Sequence, residues 1–119
     1  MSLSSGIPVL RVSDYGRARA FWVDTLGFEV MEEAGEPVTG FGILRRDRAQ
    51  VFLVAWDGPE AAYSGWRAYF HTDALDDLAE TLRERGARFD GPALTEYGMR
   101  EIEVSDPDGN RLCFGQDAG

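Results

Sequence analysis

The sequence predicts an α+β fold: one domain spanning about residues 7–117, made of two βαβββ modules at about 7–56 and 66–117. Three observations carry this. A strand-like stretch precedes a helix-capping aspartate twice, at Asp14 and at Asp73, and a glycine follows each aspartate by 13 positions, at Gly27 and Gly86. Aspartate accepts hydrogen bonds from the free amides of a first helical turn, and glycine adopts the left-handed conformation just past the last. Three strand candidates follow each of the two helices. The last two of them flank a Pro107-Asp108-Gly109-Asn110 turn, whose residues preset φ, tolerate turn geometry or supply a positive φ.

In chain order, Ile7–Val12 is the first strand, after a Met1–Gly6 stretch with the composition of a disordered leader. The helix from Asp14 presents Tyr15, Ala18, Phe21 and Trp22 to a core. Phe28–Glu33, Gly40–Arg45 and Gln50–Trp56 follow as strands. Asp57-Gly58-Pro59-Glu60, running on to Gly65, has the composition of a linker. Trp66–Thr72 opens the second module. Its helix places Leu75, Leu78, Ala79 and Leu82 at the i, i+3, i+4, i+7 spacing of one buried face. Ala87–Phe89, Met99–Ser105 and Asn110–Gly115 complete the set.

Bulk properties exclude some functions. The chain has 119 residues, enough for one core, and its apolar runs are of strand length, too short to cross a membrane as a helix. A formal net charge of −9, from 21 acidic and 12 basic side chains, argues against nucleic acid and permits attraction of a cation. Cys113 is the single cysteine, so no intrachain disulfide forms and a reducing cytoplasm is the expected setting.

Strand alternation sorts the side chains into two faces. Leu10 and Val12, Phe52 and Val54, Ala68 and Phe70, Ile102 and Val104, and Leu112 and Phe114 are assigned to the face that helices cover. The other face then receives Val9, Arg11, Val51, Leu53, Arg67, Tyr69 and His71, with Met99, Glu101, Glu103, Arg111 and Cys113 from the last hairpin. Aromatic, acidic and basic groups together suit a planar or cationic small molecule; a solvated sheet face or a dimer contact has the same composition. His71 is the one imidazole base, and parity puts it on the same face as Cys113.

The chain resembles the vicinal oxygen chelate superfamily of glyoxalase I, extradiol dioxygenases and antibiotic-resistance proteins, and within it the bleomycin-resistance branch. The resemblance rests on Ile7-Pro8-Val9-Leu10 leading to Asp14, Ala20-Phe21-Trp22 with Leu26-Gly27-Phe28, Gly91-Pro92-Ala93-Leu94-Thr95-Glu96, and Tyr97-Gly98-Met99-Arg100-Glu101 with Asp106-Pro107-Asp108-Gly109-Asn110. It implies that the two modules join into an eight-stranded open cup with helices outside. Enzymes of the superfamily hold a divalent metal through His and Glu on the cup strands, and the corresponding positions here are Ile7, Leu53, Cys113 and either Arg67 or Trp66. That set predicts no metal and no cofactor, since aliphatic and guanidinium groups do not ligate metals and Cys113, which could, makes no site as a lone ligand.

The resemblance therefore implies a metal-independent protein without catalytic residues. It would sequester a planar or cationic ligand, such as a glycopeptide antibiotic, in a homodimer cleft. On this reading Tyr69 and Tyr97 stack on the ligand, Glu101 and Glu103 meet its cationic groups, and His71, Met99 and Arg111 shape the floor. Relatives commonly carry tryptophan where Tyr97 stands, and tryptophans are expected at Tyr69 and His71, so the ligand itself is not read from these positions. The alternative is a metal-dependent lyase, isomerase or dioxygenase that recruits its ion with Glu101, Glu103 and His71.

Overall fold

The computed structural model describes residues 2–35, 40–56 and 65–119. The chain divides into two compact units, Met1–Pro59 and Glu60–Gly119. The stretch expected to link two modules lies outside the described residues, apart from Gly65.

The first unit runs β1 (Val9–Val12), α1 (Tyr15–Ala20) continued by a π-helical turn (Phe21–Thr25), β2 (Glu29–Ala34), β3 (Phe41–Arg46) and β4 (Ala49–Ala55). Its strands pair in the order β1-β4-β3-β2, with β1 parallel to β4 and the other pairs antiparallel. Asp14 caps α1 as expected, accepting from the Arg17 amide at 2.9 Å. The π turn is closed by the Leu26 amide reaching back to the Phe21 carbonyl at 3.1 Å, and Gly27 then turns the chain at φ 75°. Tyr15, Ala18 and Trp22 are buried, with the Trp22 ring edge-on to Phe28 at 4.8 Å between centroids.

The faces of β4 are the reverse of the sequence assignment. Leu10 pairs with Leu53, and Leu44 with Val51, so all four point to one side, and all four are buried together with Val12. Phe52 and Val54 take the other face beside Val9, Arg11 and Phe41, where the Phe41 and Phe52 rings meet at 5.5 Å.

The second unit repeats the plan: β5 (Trp66–His71), α2 (Leu75–Glu84), β6 (Phe89–Leu94), β7 (Met99–Ser105) and β8 (Arg111–Asp117), paired β5-β8-β7-β6 with β5 parallel to β8. The expected apolar stripe of α2 is buried in full. Its start differs. Asp73 is not the cap; the Ala74 amide donates to the Thr72 hydroxyl at 3.1 Å, and the Leu75 amide donates to the Gln116 side-chain oxygen at 2.9 Å. Gln116 also donates to the Asp73 carbonyl, so one amide side chain on β8 holds both sides of the helix entry. Gly86 ends the helix at φ 72° as expected. The strand expected at Ala87–Phe89 begins instead at Phe89 and runs to Leu94.

In this sheet the predicted alternation holds from Ala68 onward, with Phe70 only half-buried, while a bulge takes Arg67 off its assigned face. Ala68, Ile102, Val104, Leu112 and Phe114 are buried on the helix side. The Asp106 carboxylate locks the last hairpin by accepting from the Asp108 and Asn110 amides and the Asn110 side chain. No helix among the described residues is long and apolar enough to cross a membrane.

Candidate functional site

The open face of the second sheet gathers the sequence-predicted residues from three adjacent strands. Pairing of Tyr69 with Cys113, Cys113 with Glu103, and His71 and Glu101 with Gly115 puts these residues on one side. At its centre is Glu101, a carboxylate only 7 % exposed. The Tyr69 hydroxyl donates to its Oε2 at 2.9 Å, and the Tyr97 hydroxyl lies 2.8 Å from both Oε1 and Oε2. The Cys113 thiol, fully buried between the carboxylates, is also hydrogen-bonded to Glu101. All of these partners are neutral. Burying a carboxylate costs several kcal/mol unless it is fully hydrogen-bonded or paired (of order 2–7 kcal/mol even for a neutral polar group), so phenols and thiol are what keep it folded inside.

Room for this arrangement comes from Gly115. A Cβ there would run into the Tyr69 hydroxyl and ring. With no side chain on that stretch of β8, the phenol lies across the strand and reaches Glu101 on β7. Sequence reasoning passed over this glycine, because its role depends on pairing two strands away.

Beside the carboxylates lies an aromatic row on β5. Tyr69 sits between Trp66, at 5.2 Å between centroids, and His71, at 5.1 Å. Trp66 rather than Arg67 belongs to this face, because a bulge between Trp66 and Ala68 brings Trp66 opposite Arg111. Its indole N–H donates to Glu103 Oε1 at 3.1 Å, and Arg111 forms an ion pair with Glu103 Oε2. Glu103 is thus engaged by a cation of its own chain, unlike Glu101. Met99 is half-buried at the start of β7, and its backbone anchors the turn that carries Tyr97: the Thr95 amide and hydroxyl both bond the Met99 carbonyl, at 2.8 and 2.9 Å.

The electrostatics follow from burial and from Glu101. Desolvation, then the bond to Glu101, pushes the Tyr69 phenol above its ordinary range, and the bond to Glu101, then desolvation, does the same for Tyr97. Both therefore stay protonated donors at neutral pH. Burial, then the charges of Glu101 and Glu103, pushes the Cys113 thiol up to about 12. A protonated, enclosed thiol is no nucleophile. Its hydrogen bond goes to Glu101, so the Cys113–His71 pairing that parity allowed is not the arrangement found.

The donor set does not fit a metal ion. Among the described residues no group of three or more His, Cys, Asp or Glu side chains is arranged to hold one. Both oxygens of Glu101 and both of Glu103 accept hydrogen bonds or an ion pair from neighbouring side chains. What the face offers instead is a wall of aromatic planes and a carboxylate whose charge is met only by neutral donors.

Known structures share this architecture. An antibiotic-binding protein from Streptomyces sp. CB03234, TnmS3, is 29 % identical with a TM-score of 0.74, the match covering 98 % of this chain and 99 % of that one. A bleomycin-binding protein solved with bleomycin is 23 % identical (TM-score 0.80; 97 % and 99 % covered). A bleomycin resistance determinant encoded on the transposon Tn5 is 22 % identical (TM-score 0.82; 97 % and 98 % covered). The latter two likenesses speak to the fold. A comparison with curated proteins found no match. The family model for the Glyoxalase/Bleomycin resistance protein/Dioxygenase superfamily matches residues 6–114, and with the repeated βαβββ plan it establishes that the chain belongs to this superfamily.

Proposed function

We propose that this chain is a metal-independent small-molecule-binding protein that sequesters a planar or cationic ligand against the open face of its second sheet. One observation carries the reading: a nearly buried carboxylate, Glu101, satisfied only by neutral donors, next to the Trp66–Tyr69–His71 row. A cation placed there gains a charge-assisted hydrogen bond in a desolvated setting, and each aromatic contact adds about 0.5–1.5 kcal/mol beyond the area it buries. Glu103 serves the site through Trp66 and Arg111, holding the indole in the row, rather than by meeting the ligand directly. His71, level with Glu101, and Met99, two residues before Glu101 on β7, lie toward the same end of the face, away from Trp66 and Arg111. The antibiotic-binding and bleomycin-binding structures support a glycopeptide or similar antibiotic as the ligand class. A cytoplasmic homodimer is the form we propose for the working protein.

A thermal-shift screen of divalent metals and planar cationic antibiotics, bleomycin among them, tests this. Stabilisation by an antibiotic with no response to metals is the expected result. Stabilisation by a metal alone, with antibiotics inert, would replace the reading with the metal-dependent lyase, isomerase or dioxygenase.

A further inference from the structure

The two phenols on Glu101 are held in unlike ways. Tyr69 is part of β5, flanked by two rings and laid over Gly115, where not even a methyl group would fit. Tyr97 stands in the turn between β6 and β7 and is 63 % exposed. Its hydroxyl is tied to Glu101 and to the Thr95 side chain, while its ring is largely in solvent. The turn beneath it is fixed by two backbone bonds, Thr95 amide to Met99 carbonyl at 2.8 Å and Gly98 amide to Thr95 carbonyl at 3.3 Å, and by the Met99 amide donating to the Thr95 hydroxyl at 3.1 Å. Rotation about the Tyr97 side-chain bonds alone would uncover the carboxylate, with no change in the turn.

The geometry also states what would take its place. The Tyr97 hydroxyl is equidistant from the two carboxylate oxygens, at 2.8 Å from each. That is where a planar, forked cation sets its two N–H groups when it binds a carboxylate side-on. We propose that Tyr97 is a displaceable gate over Glu101: an amidine or guanidine carried on a planar ring takes both carboxylate oxygens from the Tyr97 hydroxyl, while Tyr69 keeps its bond. The inference rests on the binding reading above and names the ligand group that the site selects. Exchange is favourable because a neutral O–H donor gives way to two charge-assisted ones, and the released hydroxyl returns to water. The closed gate lowers apparent affinity by the fraction of time that it is open, so removing the hydroxyl tightens binding.

Benzamidine, with neutral benzamide as its control, is the probe, titrated into protein carrying 13C-labelled tyrosine and followed by NMR. The Tyr97 signal is identified as the one missing from Tyr97→Phe. Benzamidine is expected to shift the Tyr97 signal far more than that of Tyr69. Tyr97→Phe should bind it roughly two- to tenfold more tightly, the range of one ordinary hydrogen bond, without a gain for benzamide. Glu101→Gln should weaken it by about tenfold or more. An unmoved Tyr97 signal at saturation, or weaker binding by Tyr97→Phe, would overturn the gate; if Glu101→Gln still weakened the probe, the binding reading would survive. No binding of benzamidine by the wild type or by Tyr97→Phe would sink both.

Discussion

A methyl group at position 115 is among the smallest changes that would dismantle the candidate site. The Tyr69 hydroxyl occupies the space where that methyl would go, and the same hydroxyl is one of the donors that keep Glu101 satisfied. Gly115→Ala is expected to cost about 1–3 kcal/mol in chemical denaturation, the usual range for overpacking. Tyr69→Phe removes the atom that the methyl meets first, so in the double variant the penalty of Gly115→Ala should be smaller than in the wild-type background. Equal penalties in both backgrounds would mean that the clash lies elsewhere. Residues of this site were legible to differing degrees. Tyr97 precedes β7 and is pointed to by the family resemblance alone. The shared face of Glu101, Glu103 and Arg111 is readable because Met99–Ser105 and Arg111–Asp117 alternate and share a marked turn. Gly115 is not, since nothing local distinguishes a glycine under a phenol from one that simply ends a strand.

At the level of elements, α2 shows how a local rule yields to a tertiary contact. Asp73 has the right type and place for a cap, yet the Leu75 amide is satisfied by Gln116 from a strand 41 positions away in sequence. Gln116→Ala should therefore cost about 1 kcal/mol, as loss of a cap does, whereas Asp73→Ala should be close to neutral. Urea denaturation of the two variants checks this, and the reverse ranking would restore the local cap. The β4 strand failed for a different reason. Val51-Phe52-Leu53-Val54 is apolar on both faces, so alternation carries no information there, and only its pairing with Leu10 and Leu44 decides which residues turn inward. In β5 the bulge at Arg67 breaks the period, which transfers Trp66 to the open face.

Over the whole molecule, the repeated plan was the most legible feature, because each helix ends on a glycine whose left-handed turn is set locally, at Gly27 and Gly86, and three strands follow each. Both sheets have the same strand order and the same single parallel pair. Charge acts at this scale too: a net −9 favours cationic ligands at long range and disfavours anions, and salt should weaken the encounter. On the proposed function, Glu101 and its aromatic wall hold a cationic ligand without a metal. Isothermal calorimetry of chelator-treated protein with bleomycin, wild type against Glu101→Gln, tests it most directly. Saturable binding by the metal-stripped wild type, weakened about tenfold or more by the substitution, is the expected result. Heat that appears only when a divalent metal is restored, or that is unchanged by Glu101→Gln, would contradict it.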